Sequence, residues 1–290
     1  MSRILLVGTA TLDLVFELDH HPEADEEMRA QRLRSCRGGN AANTAVVLAG
    51  LGHKPEFYGV LADAPETAVI EEDFVRYGVD FSHCPRLAGL PPTSSIYLTA
   101  GRRSIVHYRD LPELAMEHFM ALDLAAYDWL HFEGRNVRQV ALMMAHARAQ
   151  FPDLTVSLEL EKPRPDIKAL FEFPSLLLCS SGFAKSCEFD APQPFLGWMQ
   201  GRAPQASVVV AWGESGAYGI DGAAVVSHAP AQPPYLVLDT LGAGDTFNAG
   251  MIDAMLKPQP LPDALAHACA LAGRKCGVYG FDFQATAGSR

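Results

Sequence analysis

The sequence predicts an α/β protein, a mostly parallel sheet covered by helices on both faces, with a small β-sheet lid. Three observations carry that reading. Short β-branched runs alternate with helical patterns along the chain. Those runs are apolar almost throughout, as in strands buried on both faces of a parallel sheet. Two stretches depart from this, residues 12–18 and 94–99, where polar and apolar residues alternate as in half-buried antiparallel strands.

Taken in order, strands are expected at residues 4–8, 57–61, 129–133, 155–160, 176–180 and 207–212, and helices at 41–50, 66–77, 137–150, 245–256 and 262–276. The first run, Ile4-Leu5-Leu6-Val7-Gly8, is too short for the core of a signal peptide and lacks a cleavage pattern, so it reads as a strand. In the helix at 137–150, Val140, Leu142, Met143 and Ala147 fall on one apolar face. Residues 104–108 could pair with 94–99 through a turn at Gly101. The alternating stretches read as a lid projecting from the main sheet, an ordinary edge hairpin being the plain alternative. Residues 230–234 are a Pro-rich surface connection and not a boundary, and no repeat or long linker interrupts the chain. The whole of 1–290 is therefore read as one domain, with the lid in segments of about 12–35 and 93–109.

Composition narrows the function classes. With 290 residues and 49% hydrophobic content the chain can bury a sizeable core. A formal net charge of −11 gives no general attraction for nucleic acid or an anionic membrane. Any phosphate it binds must be held by local groups. No apolar run approaches the length that spans a bilayer. Cysteines at 36, 84, 179, 187, 269 and 276 form no C-x-x-C pair, and free thiols in a reducing cytosol are expected.

The most informative segment is Asp239-Thr240-Leu241-Gly242-Ala243-Gly244-Asp245-Thr246-Phe247-Asn248. Its small residues let backbone N–H groups approach a ligand, and the helix that follows places them at an anion-favouring N-terminus. An Asp there can accept the proton of a hydroxyl attacking a phosphoryl group. A P-loop and a dinucleotide fingerprint are both excluded, the first for want of Gly-Lys-Ser/Thr and the second for want of its third Gly. A bare G-x-G-D would be read as a helix cap; the ten-residue string is more specific.

That string resembles the C-terminal signature of the ribokinase/PfkB carbohydrate kinases. Arg37-Gly38-Gly39-Asn40-Ala41-Ala42-Asn43 resembles their N-terminal signature, about two hundred residues upstream. The segments His131-Phe132-Glu133-Gly134-Arg135-Asn136, Glu159-Leu160-Glu161-Lys162-Pro163-Arg164 and Gly273-Arg274-Lys275-Cys276-Gly277 are similar to the ketohexokinase (fructokinase) branch of that family. The resemblance implies a Rossmann-like ribokinase fold with a β-sheet lid, usually dimerising through the lids. It implies ATP and Mg²⁺ as cofactors and a small sugar as substrate. It places Asp245 as catalytic base, with Gly242, Ala243 and Gly244 offering amides to the phosphoryl charge and Arg103 as the basic residue near it, Arg102 and Arg109 being close rivals. It places Asp13, Gly39, Asn40 and Asn43 on the sugar, and Asp25 in the partner subunit's sugar site or, equally, in a plain acidic loop. It places Gly242, Gly244, Asn248, Glu214, Cys276 and Gly277 around the nucleotide.

One departure from the family pattern matters. Many members organise Mg²⁺ through an Asn-x-x-Glu motif, where this chain has Ser180-Ser181-Gly182-Phe183. The metal's protein contacts are thus unassigned, with Glu133, Glu159, Glu161 and Glu214 as candidates acting through water. The expected reaction is phosphoryl transfer to a ketohexose such as fructose. The rivals are another ketose, a sugar acid or a nucleoside as substrate, or a homologue that binds sugar or nucleotide without catalysis.

Overall fold

The computed structural model describes residues 1–99, 102–222 and 225–283. Its strands are β1 (Arg3–Val7), β2 (Thr11–Glu17), β3 (Arg32–Gly38), β4 (Lys54–Tyr58), β5 (Leu61–Ala62), β6 (Arg86–Leu87), β7 (Thr93–Thr99), β8 (Arg102–Tyr108), β9 (Trp129–Glu133), β10 (Thr155–Leu160), β11 (Leu176–Ser180), β12 (Ser207–Ala211), β13 (Ala217–Asp221) and β14 (Ser227–Ala229). Its helices are α1 (Asn40–Gly50), α2 (Ala68–Tyr77), α3 (Met116–Phe119), α4 (Val137–Gln150), α5 (Ser181–Ser186), α6 (Pro192–Gln200), α7 (Ala243–Met255) and α8 (Leu261–Cys276).

The main sheet has the order β14-β13-β12-β11-β10-β9-β1-β4. It is parallel from β4 through β12, and β13 and β14 extend it antiparallel. One face packs on α1, α2, α7 and α8 through residues such as Val46, Phe74, Met251 and Leu265. The other packs on α3 to α6 through Phe119, Met143, Phe183 and Phe195. Each such side chain, fully buried, contributes about 1.5–3 kcal/mol. Within α4, Met144 rather than Leu142 completes the buried stripe, and Leu142 is 48% exposed.

A second sheet, in the order β3-β2-β7-β8, rises directly after β1. The parallel pairing of β2 with β7 joins its two antiparallel hairpins, β2–β3 and β7–β8. The expected turn at Gly101 lies outside the described residues. Four departures from the sequence reading have physical causes. The strand expected at 57–61 is β4, three residues earlier. It is an edge strand and tolerates Pro55. It ends before Gly59, where a Cβ would lie 2.3 Å from the Gly8 carbonyl oxygen. β3 shows no core-strand pattern because its sequence, Arg-Leu-Arg-Ser-Cys-Arg-Gly, pairs at a solvated edge and carries charge where a core strand carries apolar residues. α6 was hidden by Pro192, Pro194 and Gly197. β13 contains Gly219, whose missing side chain leaves room for Leu261 of α8.

The carboxyl ends of β1, β9 and β10, the N-termini of α1 and α7 and the base of the second sheet converge at one end of the main sheet. In an open α/β sheet that end is where ligands are held.

Candidate active site

Helix α1 begins against the end of β1. Gly39 has φ +95°, and a Cβ there would lie 2.0 Å from the Thr9 carbonyl oxygen, so only glycine fits. No side chain of its own caps the helix. Instead Glu133, at the end of β9, accepts through Oε1 from the N–H of Ala41 (2.7 Å) and of Thr9 (3.1 Å). A carboxylate suits a helix N-terminus, where the dipole is positive. Its Oε2 pairs with Arg135 Nε at 2.7 Å.

Helix α7 begins at Gly242, which has φ +78° and faces the ring of Phe281 where a Cβ would lie 2.4 Å away. The first i→i−4 bond of the helix runs from Thr246 N to Gly242 O, so the N–H groups of Gly244 and Asp245 precede the helical ladder. The Ala243 N–H turns back to Thr240 O at 3.3 Å. Asp245 is buried in the first turn. Its Oδ2 accepts from Asn43 Nδ2 at 2.6 Å, and Asn43 Oδ1 in turn accepts from Arg37. Arg37 is fixed by Asp73 through its Nε at 2.7 Å. Burial raises the Asp245 carboxyl to about 7 against the Asn43 hydrogen bond, with Glu161 and Glu133 adding like charge. That places a proton acceptor near neutrality beside free backbone amides.

Asn40, the first residue of α1, donates through Nδ2 to Glu159 Oε1 (3.0 Å) and Glu161 Oε2 (3.2 Å). Glu159 is 7% exposed, and its Oε2 is buried with no hydrogen-bond partner. Burial and the nearby charges of Asp245, Glu133 and Glu161 push its carboxyl well above the ordinary range. Together with Arg135, Lys162 and Arg164 these residues line a recess at the end of the sheet.

The turn leading to α7 is held by a buried ion pair. Lys275, fully buried on α8, donates to the Asp239 carbonyl oxygen at 2.9 Å and lies 3.2 Å from Asp239 Oδ2. Asp239 also accepts from the N–H groups of Leu241 and Gly280. A cavity of about 220 Å³ opens between this turn, α2 and β3, lined in part by Asp13, Arg37, Asn43 and Gly242.

Of the residues singled out from the sequence, Asn43 and Asp245 are in direct contact, and Gly39, Asn40 and Asp13 lie around them. Asp13, raised by burial, accepts from Thr11 Oγ1 at 2.7 Å. Asn248 is buried one turn into α7. Cys276 and Gly277 end α8, where the Cys276 carbonyl oxygen accepts from Leu238 N and Asp239 N. Three stand apart. Arg103 is exposed on β8, an edge strand, opposite Leu98. Arg109, just after β8, reaches inward, with Nη2 donating to Thr9 Oγ1 at 3.2 Å. Asp25 is exposed in the loop between β2 and β3, and Glu214 is exposed in the turn after β12.

Arg37, Asp239 and Lys275 were read only as letters of their motifs. Lys275 carried a signal of its own: it falls on the stripe of Ala264, Ala268 and Leu271, all fully buried, at helical spacing. A lysine on an apolar face needs a buried partner.

A doubly covered parallel sheet, a second sheet over its carboxyl edge and a helix N-terminus carrying a buried carboxylate define a phosphotransferase of ribokinase-like architecture. The chain belongs to the pfkB family carbohydrate kinases, whose pattern matches residues 1–285. It is 36% identical to ketohexokinase of Mus musculus over 97% of this chain and 98% of that protein. It is 27% identical to fructoselysine 6-kinase of Escherichia coli K12, covering 85% of this chain and 92% of the relative. The fold matches Arabidopsis thaliana ribokinase, solved with ribose and ATP, at a TM-score of 0.80 and 19% identity over 96% and 94% of the two chains. The chain is accordingly a sugar kinase, acting on a hydroxyl group. No helix among the described residues is long and apolar enough to cross a membrane.

Proposed function

We propose that this kinase transfers the γ-phosphate of ATP to a primary hydroxyl of a ketohexose, with fructose as substrate and fructose 1-phosphate as product. The observation that carries the reading is Asp245: a buried carboxylate near neutrality, oriented by Asn43 at the mouth of a helix N-terminus. The sugar lies between the main sheet and the lid, with Asp13, Gly39, Asn40 and Asn43 on its hydroxyls. Amides suit a neutral polyol because they both donate to and accept from its hydroxyls, and the Asp13 carboxylate accepts from them. Asp245 takes the proton of the attacking hydroxyl, and the Gly244 and Asp245 amides face the transferring phosphoryl charge. Of the rivals for the basic role, Arg103, Arg102 and Arg109, we favour Arg109 because its guanidinium reaches inward to Thr9 while Arg103 is exposed. Asn248, Cys276 and Gly277 border the nucleotide, with Glu214 of the turn after β12 at its outer edge. Mg²⁺, when bound, supplies charge neutralisation on the phosphates, and the orphan oxygen of Glu159 fits a hard cation near them.

Exposed Leu33, Ile105, Val106 and Tyr108 on the second sheet support a homodimer formed through the lids, in which Asp25 would serve the partner's site. The basic side chains Arg135, Lys162 and Arg164 in the recess beside Asn40 favour, as a second reading, a ketose or sugar acid that carries an anionic group. The deciding experiment is ADP release from MgATP across fructose, other ketoses and aldoses, ribose, ketodeoxygluconate, fructoselysine and adenosine. Turnover with fructose, lost in Asp245→Asn, is expected. Preference for an anionic substrate would move the specificity to the second reading.

A further inference from the structure

Within the ends of β9 and β10, three carboxylates and one amide share a small space. Glu133 accepts there from two backbone N–H groups through Oε1, and its Oε2, which makes no hydrogen bond, is ion-paired with Arg135. Glu159 and Glu161 are held differently. One amide nitrogen, that of Asn40, draws Glu159 Oε1 and Glu161 Oε2 towards each other, and two like charges converge on a single neutral donor. The Lys162–Glu161 pair, at 3.6 Å between two exposed side chains, is too solvated to offset this. Glu159 Oε2, buried in a residue 7% exposed, lines the recess with no partner at all. An oxygen of this kind, removed from water and unpaired, costs free energy until a proton, a donor or a cation meets it, and a cation is the partner that would also relieve the like charge beside it.

The position is informative. Ser180 Oγ donates to the Glu161 carbonyl oxygen at 2.8 Å, so Glu161 sits directly beside the start of α5, where this chain has Ser180-Ser181-Gly182-Phe183 in place of the family's Asn-x-x-Glu. We propose that Glu159 and Glu161, aligned by Asn40, form the protein side of a divalent-cation site that stands in for that missing motif. The remaining ligands are phosphate oxygens of the nucleotide and water. Among the described residues no group of three or more His, Cys, Asp or Glu is arranged to enclose a metal alone. That agrees with a hard cation taking one or two carboxylates and completing its shell from phosphate and water. Lys162 and Arg164, on the rim of the same recess, face the phosphate oxygens. Asn40 on this view is a positioning residue for the metal site as well as a sugar contact.

The inference rests on the kinase reading, and its test separates the two. Mn²⁺ binding is followed by electron paramagnetic resonance on the full chain, alone and saturated with ADP, for wild type, Glu159→Gln and Glu161→Gln. ADP binding without metal is measured in parallel by displacement of a fluorescent nucleotide, and folding by thermal melting. The expected result is a loss of about tenfold or more in Mn²⁺ affinity in each variant, with metal-free ADP affinity unchanged. Glu161 is the more exposed of the two, so its variant decides the matter if Glu159→Gln fails to fold. Wild-type Mn²⁺ affinity in a folded Glu161→Gln variant overturns the proposal. Failure of metal-free ADP binding would instead overturn the nucleotide reading, and the Mn²⁺-alone arm would still judge the carboxylate pair.

Discussion

Asn43 Nδ2 donates to Asp245 Oδ2 at 2.6 Å, joining the first turns of two helices whose sequences lie 202 residues apart. The amide is itself oriented by Arg37, which occupies Asn43 Oδ1 and so fixes which end of the amide faces the carboxylate. The relationship holds one oxygen of the proposed base and leaves the other for substrate.

Asp245→Asn is expected to lower turnover by at least about a hundredfold, the scale of a general base. It should not lower stability above neutral pH. Burial raises this carboxyl from 3.8 to about 7, so its folded form favours the proton. Its contribution is full below the unfolded value and is lost as pH rises through about 7. Thermal melting at pH 8 should find the variant equal to or above wild type, while coupled assay finds it nearly inactive.

The same group is expected to set the acid limb of the pH–rate profile. In the free enzyme kcat/KM for the sugar should fall as pH drops through about 7, because the protonated carboxyl cannot accept the hydroxyl proton. A limb near 4 would mean that another group, or none, is the base.

Asn43→Ala removes the hydrogen bond that lowers Asp245. The acid limb should move to higher pH, and KM for the sugar should rise with it. A pure packing role for Asn43 would change stability and leave the limb in place.

Lys275→Met leaves the Asp239 carboxylate buried without its cation. Breaking a buried pair by removing one partner costs about 3–5 kcal/mol, and denaturant unfolding should show a loss of that order. Because Asp239 holds the turn through Leu241 and Gly280, KM for ATP should also rise.

Arg109→Ala should reduce kcat/KM at least about tenfold, in keeping with loss of a charge-assisted contact, while Arg103→Ala should have a smaller effect. Steady-state kinetics on the two variants checks the assignment. A larger loss in Arg103→Ala would return the role to the exposed strand residue, through a lid movement.

Much of the molecule follows from local sequence. β9, β10, β11 and α4 begin and end where periodicity and composition place them, because buried parallel strands and their crossover helices leave strong local patterns. The glycine turn before α7 and the glycine before α1 are legible too, since positive φ and close backbone approach admit no other residue. The edges were less legible. β3, with three arginines in seven residues, and β13, with its central glycine, are strands only because a neighbour pairs with them.

The sequence by itself determined the class of fold, the glycine turn before α7 and the carboxylate that lies in it, all properties of contiguous residues. Tertiary structure alone decided which distant groups meet: Asn43 with Asp245, Asn40 with Glu159 and Glu161, Lys275 with Asp239, Arg109 with Thr9. The reason is that burial and Coulomb interaction act through space. What a carboxylate can do depends on what the fold brings within a few ångströms of it, and no local pattern records that.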